Sequence, residues 1–122
     1  RGTHACPMTE SHRERLRVLH SRGGEIGPEA LFSHGGFEIA SLSAGLAKQA
    51  VADVLEGALP NAYSLSRPPG HHCLPDSGMG FCLLANIPIA IEAAKAGHGG
   101  SGAGDRAHGR PFPIGPILRQ TR

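Results

Sequence analysis

Two adjacent prolines and a glycine, Pro68-Pro69-Gly70, lie past the middle of this 122-residue chain and restrict what it can fold into. Each proline fixes its own φ and removes a backbone donor, so neither a helix interior nor a central strand can run through this point. An element before it must end there, and an element after it must begin anew. Two histidines follow at once, in Arg67-Pro68-Pro69-Gly70-His71-His72-Cys73, and further turn residues come at Pro75, Gly78 and Gly80. Residues 67–80 therefore read as a loop of restricted shape that carries the most reactive side chains of the chain.

Periodicity places elements on both sides of this loop. Residues 10–19 predict a short helix with Leu16 and Leu19 on one face, Ser11 as its cap and Gly23-Gly24 as its stop. Residues 25–37 show no clear period. Residues 37–55 predict a longer helix whose stripe of Ile39, Leu42, Leu46, Ala50 and Val54 should face the core, with Gly45 leaving room for a close neighbour. Gly57 and Pro60 end it. Residues 63–66 predict a short strand, and residues 81–84 form a second apolar run. Asn86 is expected to cap a third helix over residues 87–96, with Pro88 tolerated in its first turn and Gly97 at its end. The order helix, strand, loop, helix is α/β in character and puts any chemistry on the loop after the strand.

Composition removes several function classes. There is no run of about 18 apolar residues, so no membrane span is expected. Lys and Arg exceed Asp and Glu by only two, which gives no case for a polyanionic partner. With four Phe, one Tyr and no Trp, an aromatic platform for nucleic-acid bases is not expected. Cys6, Cys73 and Cys82 are odd in number and form no CxxC pair, which fits reduced thiols and a cytoplasmic location. From residue 99 the text turns to Gly, Pro and Arg without a period. We therefore divide the chain into residues 1–98 and a tail, residues 99–122, expected to be disordered or foreign to the fold. Arg106, Arg110, Arg119 and Arg122 in that tail supply a less favoured reading, a small basic nucleic-acid-binding module.

His71 and His72 suit general acid–base work, because an imidazole takes up and returns a proton near neutral pH and two neighbours push their pKa values apart. The plainer alternative is a pair of polar loop residues. A metal set of His71, His72, Cys73 and Cys82 does not have a standard zinc spacing. Phe81 reads as core packing or as an apolar wall beside the histidines. The remaining histidines, at 4, 12, 20, 34, 98 and 108, show no useful spacing and are expected at the surface or in caps.

Arg67-Pro68-Pro69-Gly70-His71-His72 and Gly80-Phe81-Cys82 resemble the tandem-histidine region of the zinc-dependent histone deacetylase family, in its class II and bacterial acetylpolyamine amidohydrolase branch. Residues 37–45, 61–65 and the helix from Asn86 resemble the neighbouring pieces of that family. Residues 10–15 do so weakly, and the resemblance covers about residues 8–98. It implies the N-terminal portion of an arginase/deacetylase fold, a partial three-layer α/β fold with a parallel sheet. It implies hydrolysis of N-acetyl amides of lysine side chains or small amines, with His72 as general base and His71 as its electrostatic partner. Gly80 and Phe81 would line the substrate channel. The family's Zn2+ ligands, a later Asp-x-His and a further Asp, have no counterpart here. Asp105 and His108 are spaced Asp-x-x-His without a strand before them and are not taken as ligands. The resemblance therefore implies zinc in the complete family domain and none bound to this chain. The alternative function is an inactive remnant that self-associates through exposed core surface.

Overall fold

Helix α1 (Glu10–His20) begins where the Thr9 hydroxyl accepts the His12 backbone N–H at 3.2 Å in the computed structural model, which describes residues 7–98. Cys6 and the tail from residue 99, with Asp105 and His108, lie outside the described residues. Thr9, not Ser11, is the cap, because Thr9 holds the extended backbone that lets its hydroxyl reach the N–H three residues on. Leu16 is fully buried and Leu19 packs at the edge of the core, as their spacing predicts. The helix stops where Gly23, at φ +75°, donates its N–H to the Leu19 carbonyl at 2.7 Å.

The stretch without a period contains two short strands, β1 (Gly24–Glu25) and β2 (Leu31–Phe32), paired antiparallel with Gly24 opposite Phe32. They form the only sheet among the described residues. The described fold is thus mixed helix and strand, and the expected parallel sheet is not among these residues. Residues 61–66 alternate between exposed and half-buried side chains, the period of a strand, but join no ladder. Residues 81–84 do not form a strand either. Met79 and Cys82 make an isolated bridge, and the chain turns between them.

Helix α2 (Gly36–Leu55) and helix α3 (Asn86–His98) pack on each other. α2 turns a different face inward from the one its large residues suggest. Ala40, Ser43, Ala44 and Val51 are buried, while Ile39, Leu42 (65% exposed) and Leu46 face outward. Small side chains let α2 approach its neighbours closely: Val51 clusters with Ala90 and Ala94, and Ala40 and Ala44 share the larger cluster with Leu83, Leu84 and Ala85. Gly45 opens onto free space rather than onto a neighbour. α3 continues through Gly97 to His98.

The larger core cluster joins Met8, Leu16, Ile26, Ala30, Ala40, Ala44, Leu83, Leu84 and Ala85. It draws on α1, on the segment around β1 and β2, on α2 and on the run that follows the histidine loop. Burying a side chain such as Leu16 contributes about 1.5–3 kcal/mol, and here it also fixes the floor on which residues 67–82 rest.

Candidate functional site

The Arg67–Pro68 peptide bond is cis, and the chain then turns through Gly70 at φ +85°. Only glycine suits Gly70: the backbone is left-handed, and the Asn86 side chain fills the space where a Cβ would stand. Asn86 holds the turn from below. Its side-chain Nδ2 donates to Ser43 Oγ at 2.9 Å and lies 3.2 Å and 3.3 Å from the carbonyls of Pro68 and Pro69. Its backbone N–H donates to the Gly70 carbonyl at 3.1 Å. The Ser43 hydroxyl donates to the Pro68 carbonyl at 2.7 Å and lies 2.8 Å from Ser66 Oγ. Prolines lack N–H groups but keep their carbonyls, and this buried amide and hydroxyl satisfy them.

The turn delivers His71 and His72 side by side, with ring centroids 4.2 Å apart and planes inclined by 53°. Partial burial, and secondarily the neighbouring His72, push the His71 imidazole below its usual range. A cleft of about 160 Å³ opens at His71 between Tyr63, Leu65, Ser66, Pro69, Asn86 and Ile87. A larger cleft of about 690 Å³, lined by Arg15, Leu19 and Ile26 among others, does not include the histidines.

Gly80 lies under His72. A methyl group at that position would stand 2.9 Å from His72 Cδ2, and the backbone there has φ +53°. Phe81 follows at φ +65°, a region costly for a bulky residue. Its N–H donates to the Glu29 carbonyl at 2.8 Å, and Gly80 N–H donates to the Pro28 carbonyl at 3.1 Å, so the loop before β2 braces this bend. The outcome is an aromatic ring 71% exposed rather than buried, which removes the core-packing reading of Phe81. His71 and His72 are thus brought together, and Gly80 is brought against His72. Phe81 stands at the surface next in chain to Gly80.

Several supporting residues carry no signal in the sequence. The sequence offers only a capping role for Asn86 and none for Ser43, and Pro28 and Glu29 lie in the stretch without a period. Their contribution is made through carbonyls and a buried amide, which leave no pattern in a linear text. The sequence predicts His12 at the surface or in a cap, like the other scattered histidines. It is instead fully buried, with Nε2 2.8 Å from the Leu83 carbonyl, tying α1 to the run after the site loop. Its position four residues before Leu16 on the same helix face was the available clue.

The groups around the histidines do not fit a zinc ion. No cluster of three His, Cys, Asp or Glu side chains able to hold a metal exists among the described residues. Burial, and secondarily Cys82, push the Cys73 thiol up to about 12, which disfavours the thiolate a metal requires. The Cys82 sulfur is engaged by backbone N–H groups.

A family model for the histone deacetylase domain matches residues 3–101. The chain is 61% identical over 87 residues to a histone deacetylase-like amidohydrolase of Pseudomonas aeruginosa, covering 70% of this chain and 23% of that protein. It is 42% identical over 88 residues to a probable deacetylase of Methanothermobacter thermautotrophicus, covering 71% and 26%. It is also 52% identical over 56 residues to an acetylpolyamine amidohydrolase of Burkholderia pseudomallei, covering 46% and 16%. The chain therefore spans about a quarter of the length of the first two relatives. The cis-proline turn, the paired imidazoles and the glycine beneath them lie within the matched stretch, and the chain belongs to the histone deacetylase domain family.

Proposed function

We propose that residues 1–98 carry the acid–base portion of a deacetylase that hydrolyses N-acetyl amides of lysine side chains or of small amines. The observation that carries this reading is the His71–His72 pair, rings 4.2 Å apart on a braced loop. Partial burial, and secondarily the neighbouring His72, hold the His71 imidazole below its usual range, which favours its neutral form beside His72. His72 takes a proton from water as the water oxygen attacks the acetyl carbonyl. It returns a proton to the amine nitrogen as the C–N bond breaks, giving acetate and the free amine. Gly80 leaves the room beside His72 that a side chain would fill, and Phe81 supplies an apolar wall for the substrate stem. The names of two relatives, histone deacetylase-like amidohydrolase and acetylpolyamine amidohydrolase, support the substrate class.

Neither a parallel sheet nor a cluster able to hold zinc lies among the described residues, and on this reading both belong to the remainder of such a domain. By itself the chain is a catalytically inactive portion with no stoichiometric zinc. The free thiols of Cys73 and Cys82 suit a reducing compartment such as the cytoplasm. No helix among the described residues is long and apolar enough to cross a membrane.

The test replaces the matching stretch of the Pseudomonas aeruginosa relative with residues 8–98 and measures acetate release from an acetyl-lysine peptide and from an acetylated diamine. The chimera is expected to hydrolyse at least one of them, and His72→Ala is expected to lower the rate by about 10²-fold or more. A folded chimera without activity, or one indifferent to His72→Ala, overturns the proposed role. The isolated chain is expected to show neither zinc by metal analysis nor turnover. One tight zinc per chain with turnover contradicts its inactivity.

A further inference from the structure

The two backbone N–H groups that flank His71 converge on one sulfur. Cys82 is fully buried, and its Sγ lies 3.1 Å from Gly70 N and 3.3 Å from His72 N. Its own S–H reaches the Gly80 carbonyl at 3.4 Å. One thiol therefore contacts the backbone before His71, the backbone of His72, and the glycine on which the His72 ring rests. Sulfur is a weak acceptor, but it is large and polarizable, and here it receives two donors that the loop offers to no helix or sheet. The loop carbonyls are held separately by Asn86 and Ser43. Cys82 is the matching anchor for the N–H groups.

We propose that Cys82 is a positioning residue for the tandem histidines: it fixes the backbone at Gly70 and His72 and thereby the spacing of the two rings. It touches no reacting atom and needs no thiolate. This deepens the acid–base reading and rests on it for its functional meaning, but it can be tested by geometry rather than turnover. Cys73 provides a control within the same loop. Its thiol is directed at the carbonyls of Leu74, Ser77 and Leu83 and accepts neither of the two N–H groups.

The experiment follows amide hydrogen exchange and the imidazole signals by nuclear magnetic resonance in the full 122-residue chain and in Cys82→Ala, Cys82→Ser and Cys73→Ala. In the unsubstituted chain the Gly70 and His72 amides are expected to exchange at least about tenfold more slowly than the His71 amide between them. Cys82→Ala should bring both to the His71 rate and shift both imidazole signals, while α2 amides keep their protection. Cys82→Ser, whose hydroxyl accepts from nearly the same place, should restore part of the protection. Cys73→Ala should leave both amides unchanged. The proposal is overturned if Gly70 and His72 exchange as fast as His71 in the unsubstituted chain, if folded Cys82→Ala changes nothing, or if Cys73→Ala has the same effect as Cys82→Ala. Should Cys82→Ala not fold, the unsubstituted rates and Cys82→Ser decide. An inactive chimera alongside these exchange results would sink the proposed reaction and leave the positioning role standing.

Discussion

Asn86 gives its side chain to the site loop rather than to its own helix. A capping asparagine would accept an N–H from the first turn of α3, yet this one donates to Ser43 Oγ and toward the carbonyls of Pro68 and Pro69. The reason is chemical: a turn of two prolines presents acceptors and no donors, and a buried amide N–H group answers them. Asn86→Ala should therefore destabilise the chain by about 1–3 kcal/mol. Asn86→Asp should cost more, because an ionised carboxylate has no donor to offer and faces two carbonyl oxygens. Urea denaturation of the two variants checks the order, and equal midpoints to the unsubstituted chain would contradict it. At this scale His71, His72 and Gly80 were legible as a motif, since their residue types announce it. Cys82 and Asn86 stand in the same motif and its following helix, but the roles of their side chains were not legible, because what they do depends on atoms brought near by folding.

At the scale of elements, α2 shows why a hydrophobic stripe is an incomplete guide to a buried face. Its large apolar residues at 39, 42 and 46 point outward, and its small residues at 40, 43 and 44 point inward. The inner face sits close above the site loop and the run of residues 83–85, where a larger side chain has no room. Ala44→Leu should destabilise by about 1–3 kcal/mol through overpacking, whereas Leu42→Glu should change stability by no more than about 0.5 kcal/mol. Thermal unfolding of both variants separates the two faces, and the reverse order would show that the outer stripe carries the packing. The helix itself was legible to within one residue of its start, because its length, composition and Gly57-Pro60 ending all agree. Which face it buries was not, because that is a property of the neighbour.

Across the described molecule, one core links parts far apart in the sequence. Leu16 of α1 and Leu83 after the site loop share a cluster, and His12 reaches the Leu83 carbonyl from the same helix face. The floor of the histidine loop thus depends on a helix some 60 residues earlier in the chain, His12 to Leu83 being a separation of 71. Leu16→Ala should cost about 2–5 kcal/mol and should also raise amide exchange at Gly70 and His72, although Leu16 is not part of the loop. Exchange measured residue by residue checks this, and a loss of protection confined to α1 would refute the coupling.

The sequence by itself determined the turn at Pro68-Pro69-Gly70, the existence of three helices, the adjacency of two imidazoles and, through that motif, the family. These follow from local rules, since a missing N–H, an absent Cβ and a period along one helix act within a few residues. Tertiary structure alone decided that Thr9 rather than Ser11 caps α1, that residues 61–66 join no ladder among the described residues, that α2 buries its small face, and that Phe81 stands exposed. It also decided that one buried thiol and one buried amide hold the two sides of the histidine turn. Such outcomes depend on which surfaces meet and which donors find acceptors, and those partners come from segments distant in sequence.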